Sequence, residues 1–148
     1  MNTSTIKKIL ASDNTFSALP LRLVAGIIFT AHGAQKLFAW FGGYGLEGTG
    51  QWMESIGLAP GYLMAMMAGS AEFFGGLLLI LGLLTRPTAL VLSLTMIVAI
   101  FSTHIDNGLF VSNSGYEFAL ALFAISLSVM LQGGGKLSID SLIVSKLS

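Results

Sequence analysis

The sequence predicts an all-α chain folded as a four-helix transmembrane bundle, with both termini cytoplasmic and a glycine-rich outer loop between helices 1 and 2. Three observations predict it. Hydrophobic residues make up 54% of the 148 residues and charged residues only 9%, where a soluble domain carries about 25% charged residues. Uncharged runs recur along the chain, and those at 87–105 and 118–135 reach the threshold of about 18 residues for a span without help. Finally, Lys7, Lys8, Arg22, Arg86, Lys136 and Lys146 fall at one set of helix ends, while Glu47, Glu54 and Asp106 occupy the opposite loops. Cytoplasmic loops are enriched in Lys and Arg, which puts both termini on that side.

Residues 1–19 read as a cytoplasmic N-terminal lead. Lys7 and Lys8 resemble the start of a signal peptide, but Asp13, Asn14 and Arg22 break up the residues behind them, and no cleavage site is evident. Ile6, Ile9 and Leu10 are expected to touch the interface. The transmembrane domain, 20–132, holds helices at about 20–41, 61–84, 87–105 and 116–131, each near the roughly 20 residues needed to cross the hydrocarbon. The outer loop contains Gly43-x-Gly45-x-x-Gly48, but a dinucleotide fingerprint needs a preceding strand, and here a helix precedes it. A flexible loop with a short interfacial helix at 51–56 is expected instead. Thr85-Arg86-Pro87 makes the turn into helix 3, with Pro87 in its first turn. Residues 133–148 form a cytoplasmic tail, in which LSIDSLIVSKL, 137–147, is expected to lie along the inner surface. Trp40, Tyr44, Trp52, Tyr62 and Tyr116 all fall on the outer side, as an interfacial aromatic belt would.

Composition excludes several functions. Net charge is zero, so no nucleic acid is expected as a partner. The absence of cysteine removes disulfides, thiolate metal sites and thiol redox chemistry by this chain alone. The seven methionines read as packing residues, and no metal site is expected.

The polar residues inside the spans carry the functional argument. Glu72 stands near the middle of AMMAGSAEFFGGLLLILGLL, residues 65–84. A charge at the centre of a span costs roughly 2.5–3.5 kcal/mol on insertion scales. Glu72 must therefore meet a cation or stay protonated, and both outcomes hold it inside the bundle. Helix 1 offers the partners. His32 and Lys36 lie one turn apart, and Arg22 lies within roughly 40° of Lys36 on the same face. Gly26 and Gly33 let a second helix approach that face, as Gly69, Gly75 and Gly76 do around Glu72. His104 and Glu117 stand at the outer ends of helices 3 and 4. Glu72 and His32 are the candidate catalytic residues, with Lys36, His104 and Glu117 as candidate substrate-binding residues. Arg22 and Arg86 read as orientation anchors. The same ion pairs can equally serve as a lock on helix register. His32 and His104 on different helices raise a b-type haem, but two lone histidines are weak evidence, and none is expected.

Arg22, AHGAQKLF (31–38), AEFFGGLLLILGLLTRP (71–87), Glu117 and GGGKLSID (133–140) resemble the DoxX family of small membrane proteins, over about residues 20–141. The resemblance implies a multi-pass, four-helix protein of the bacterial inner (cytoplasmic) membrane. It marks Arg22, His32, Gly33, Lys36, Glu72, Gly75, Gly76, Arg86, Glu117, Ser138 and Asp140. One branch of the family is similar to a subunit of thiosulfate:quinone oxidoreductase, and other members associate with redox enzymes. The function expected from residues and resemblance together is a subunit of a membrane redox system. It would bind a quinone or similar amphipathic molecule in the outer half of the bundle, with no further cofactor expected. The alternatives are a non-catalytic scaffold or assembly factor, and a small transporter or proton pathway. The partners expected are the lipid bilayer, redox-enzyme subunits and further copies of the chain.

Overall fold

The computed structural model describes residues 3–13 and 15–147; Met1, Asn2, Asn14 and Ser148, which belong to the expected lead and tail, lie outside the described residues. Among the described residues the chain is all-α. Helix α1 spans Thr3–Ile9, α2 Ala18–Phe38, α3 Gly45–Ser55, α4 Gly61–Leu81, α5 Thr85–Ala99, α6 Glu117–Gln132 and α7 Ile139–Lys146. A π-helical turn, Ile100–His104, and a 3-10 turn, Ile105–Asn107, continue α5 outward.

Among the described residues two helices are long and apolar enough to cross a membrane: Gly61–Leu81, 21 residues with mean hydropathy 1.7, and Thr85–Asn107, 23 residues with mean hydropathy 1.9. Helix α6 is apolar but has 16 residues, and α2 has 21 residues but carries Arg22, His32 and Lys36. The outward faces of α2, α4, α5 and α6 are apolar, with Ile27, Phe74, Leu94 and Leu120 exposed. Inside, Ala25, Phe29, Leu79, Leu92, Met96, Leu122 and Val129 form one continuous core. Two hydroxyls within this apolar interior are satisfied locally. Thr30 donates to the Gly26 carbonyl at 2.7 Å and Ser93 to that of Ala89 at 2.8 Å, the back-bond that lets a helix carry a buried hydroxyl.

Glycine decides how α2 meets α4. A methyl group on Gly33 would lie 2.6 Å from Phe73 Cα, and one on Gly76 would lie 2.6 Å from the Gly26 carbonyl oxygen. Both distances fall inside van der Waals contact with backbone, so only glycine permits this spacing. The close approach sets the Lys36 and Glu72 side chains within reach of each other.

The outer loop differs from expectation. In place of a flexible segment with a short helix at 51–56, the structure has an 11-residue helix, α3, with Thr49, Gly50 and Met53 buried. Glycines on α3 and α4 serve close packing. A Cβ on Gly50 would lie 2.9 Å from Tyr62 Cα, and one on Gly61 would lie 2.9 Å from Glu54 Cβ. Helix α3 is thereby pressed onto the start of α4, and the Gly61 amide donates to the Glu54 carboxylate at 3.4 Å.

Candidate functional site

Helices α2, α4, α5 and α6 enclose a cleft of about 730 Å³ at the end of the bundle away from the termini, roofed by α3 and by the loop before α6. Pockets that hold small molecules commonly measure about 300–1,000 Å³. The walls are mostly apolar, with Phe29, Met96, Phe118 and Leu122 deep in the bundle and Trp52, Met53 and Ile56 on the roof. His32, Lys36, Glu72 and His104 all line it.

The Lys36–Glu72 ion pair is formed, with Nζ 2.5 Å from Oε2. Glu72 is buried at 4% exposure. Lys36 also donates weakly to the His32 carbonyl, at 3.5 Å, which holds the ammonium along its own helix. One Glu72 oxygen is left over: Oε1 has no hydrogen-bond partner among the described residues. The His32 ring is exposed to the cleft and packs obliquely on Phe118, with ring centroids 6.0 Å apart. A charged pair, a spare carboxylate oxygen and an imidazole thus meet in an apolar, partly dehydrated space. There each polar contact with a ligand counts for more than it would in water.

His104 enters the cleft from the π-helical turn. Its Nδ1 lies 2.6 Å from the Ser114 carbonyl, and Asn107 donates to the same carbonyl at 3.4 Å. Glu117 does not line the cleft, contrary to its expected substrate-binding role. Its carboxylate accepts the Val111 amide at 2.6 Å, and its own amide donates to the Leu109 carbonyl at 2.9 Å. Glu117 therefore closes the loop that positions His104. The Ser114 brace was missed in the sequence, although the SNSG run at 112–115 has the turn chemistry that signals such a loop.

The inner-end residues form a second constellation. Arg22 is buried at 2% exposure, so its head does not reach out to the interface as a surface anchor would. Its Nη1 donates to the Leu79 and Ile80 carbonyls at 3.1 and 2.6 Å, its Nε to the Gly134 carbonyl at 3.0 Å, and its Nη2 to the Leu137 carbonyl. The last turn of a helix leaves carbonyls without partners and carries partial negative charge. Arg22 satisfies those of α4 while gripping the tail. Asp140 does the converse for α5: its two carboxylate oxygens accept the Leu84 and Thr85 amides, each at 2.8 Å. Ser138 caps α7 by accepting the Ser141 amide at 3.1 Å. Arg86 donates to the Ala11 carbonyl at 2.7 Å and so holds the N-terminal segment. The segment 133–140 is built into this end of the bundle, with Gly133, Gly134, Gly135, Ser138 and Asp140 buried. Gly75 leaves room for Leu92 of α5, whose Cδ2 would sit 3.2 Å from a Cβ at that position.

The model of the DoxX family matches residues 17–105. The chain belongs to the DoxX family. The matched segment takes in α2, the roof helix, α4 and α5 to the end of the cleft wall, and so contains Arg22, His32, Lys36, Glu72 and His104. Relatives extend the similarity. A Bacillus subtilis (strain 168) protein named "Putative oxidoreductase CatD" is 37% identical over 122 residues, covering 82% of this chain and 83% of the relative. A protein of Haemophilus influenzae is 34% identical over 128 residues, covering 82% of this chain and 86% of the relative. "Inner membrane protein YqjF" of Escherichia coli (strain K12) is 31% identical over 134 residues, covering 86% and 92%. No solved structure matches. Within this DoxX chain, the cleft and the inner clamp sit at opposite ends of the same bundle.

Proposed function

We propose that this DoxX chain is a four-span subunit of a redox system in the bacterial inner membrane, and that its outer cleft holds the head of a quinone or similar amphipathic molecule. The observation that carries the reading is the cleft itself. It is apolar enough for a hydrophobic ring, and it presents the Lys36–Glu72 pair and the His32 imidazole at one wall. Quinone reduction and its reverse move protons as well as electrons. A carboxylate oxygen without a partner and an imidazole within the same space suit that exchange. Glu72 is assigned proton handling, His32 hydrogen bonding to the ring oxygen, and Lys36 the counter-charge. The names "Putative oxidoreductase CatD" and "Inner membrane protein YqjF" agree with this reading.

The membrane placement rests on the apolar outward faces of α2, α4, α5 and α6 and on the basic residues at the inner end. It is tested by single introduced cysteines, for which this cysteine-free chain is a ready background. In intact spheroplasts, Gly48→Cys and Ser112→Cys are expected to react with a membrane-impermeant maleimide, and Ser145→Cys only after permeabilisation. The reverse pattern would remove the assigned orientation.

Ligand binding is tested on the purified chain in detergent with a short-tailed benzoquinone, added oxidised or reduced. Saturable quenching of tryptophan fluorescence by at least one form is expected, since Trp52 lines the cleft. Loss of the spare carboxylate in Glu72→Gln is expected to weaken binding about tenfold, the usual scale for a lost hydrogen bond to a charged group. Absence of saturable binding by either form would end the proposal.

A further inference from the structure

On the π-helical turn and the residues that continue it, the side-chain donors of Ser102, Thr103, His104 Nδ1 and Asn107 are all engaged. The Ser102 hydroxyl donates to the Val98 carbonyl at 2.7 Å. The Thr103 hydroxyl, 3.3 Å from Ser102 Oγ, must then be the donor of that pair. The Asn107 amide donates to the Thr103 carbonyl at 3.0 Å and to the Ser114 carbonyl at 3.4 Å. A carbonyl oxygen only accepts, so His104 Nδ1, 2.6 Å from Ser114, carries a proton. A neutral imidazole protonated at Nδ1 presents a bare lone pair at Nε2. The groups that the turn itself has to spare are therefore acceptors, His104 Nε2 and the Asn107 amide oxygen; the neighbouring Ser114 hydroxyl can donate or accept. At the opposite wall Glu72 Oε1 is a further acceptor, beside the Lys36 ammonium.

We infer that the cleft selects the hydroxylated, reduced form of its ligand, a quinol over the matching quinone, with His104 Nε2 receiving the ring hydroxyl; this rests on the reading of the cleft as a quinone-type site. A quinone carbonyl turned toward the π turn meets lone pairs with no donor between. A quinol hydroxyl fills the same place with a hydrogen bond. The braces from Ser114 and Asn107 hold the imidazole in one orientation, so no reorganisation is needed on binding. His104 is a specificity-determining residue in this scheme.

The experiment is anaerobic titration of the purified full-length chain with a short-tailed benzoquinol, the matching benzoquinone, and the dimethyl ether of the quinol as a redox-inert control without hydroxyls. The quinol is expected to bind about tenfold more tightly than either of the others, the scale of one neutral hydrogen bond left unmade. His104→Asn keeps an amide able to donate to Ser114 and removes the Nε2 acceptor. It is expected to narrow the difference between the two forms, lowering quinol affinity more than quinone affinity. Equal or tighter binding of quinone by the native chain overturns the inference while the quinone-site reading stands. Failure of both forms to bind overturns the two together. The comparison of ligands on the native chain decides the matter even where the variant does not fold.

Discussion

Replacing Arg22 by methionine is expected to produce the largest loss of stability of any single change in this chain. The guanidinium is buried at 2% exposure and supplies hydrogen bonds to the carbonyls of Leu79, Ile80, Gly134 and Leu137. Methionine matches its length but donates nothing. The Ile80, Gly134 and Leu137 carbonyls are left without a donor, while that of Leu79 keeps the Gly82 amide at 3.1 Å; each such loss costs about 1–3 kcal/mol. Relief from desolvating a cation offsets part of that sum. A net loss of about 3–5 kcal/mol is expected. In detergent the apparent melting temperature should fall by roughly 6–20 °C, taking about 2–4 °C per kcal/mol for a chain of this size. Arg22→Lys should recover only part of the loss, because one ammonium cannot reproduce the planar fork. Asp140→Ala should act in the same direction by stripping the acceptors from the Leu84 and Thr85 amides. The two changes should combine to less than their sum, since each frees the same tail segment. A melt for Arg22→Met within a degree of native would show that the inner clamp carries no weight.

Lys36→Met is the second. It leaves the Glu72 carboxylate at 4% exposure without the ammonium that stands 2.5 Å away. Removing one partner of a buried pair typically costs about 3–5 kcal/mol, while replacing both with apolar residues is often neutral or better. Lys36 is more open than Glu72, 22% against 6% for the side chains, so the lower end, about 3 kcal/mol, is expected. The double change, Lys36→Met with Glu72→Leu, should restore the melting temperature to near native. Quinone-type binding should nonetheless be weakened in it. This combination separates a ligand site from a lock on helix register. Native-like affinity in the double variant would make the pair a lock and carry the scaffold reading instead.

The pairing of Lys36 with Glu72 was legible because it comes from cost. A carboxylate in an apolar helix needs a compensating cation, and helix periodicity leaves few choices. Gly26 and Gly33 were legible for a related reason, since their spacing marks the face where α4 comes close. The length of α3 was not legible. Glycines at 43, 45, 48 and 50 lower helix propensity, and only burial of Thr49 and Met53 against α4 offsets that. The turn contact of Glu117 was not legible, because a carboxylate at the mouth of a cleft and one that closes a turn look alike in a string of letters. Its partner, the Val111 amide, is a backbone group and leaves no mark in the sequence. The role of Arg22 was obscured in the same way, its four acceptors all being carbonyls.

By itself, the sequence determined what any window of residues can report: apolar runs long enough for spans, basic residues gathered at one end, a chain without thiols, and a carboxylate that had to find a cation. Those are sums over neighbours in the chain, and local composition states them directly. Only the tertiary structure decided that Arg22 grips α4 and the tail together, that Asp140 caps α5 from 55 positions away, that α3 roofs a cleft, and that the Ser114 carbonyl fixes which nitrogen of His104 is bare. Each of these depends on a backbone group brought in from elsewhere in the fold, and every residue type offers the same backbone.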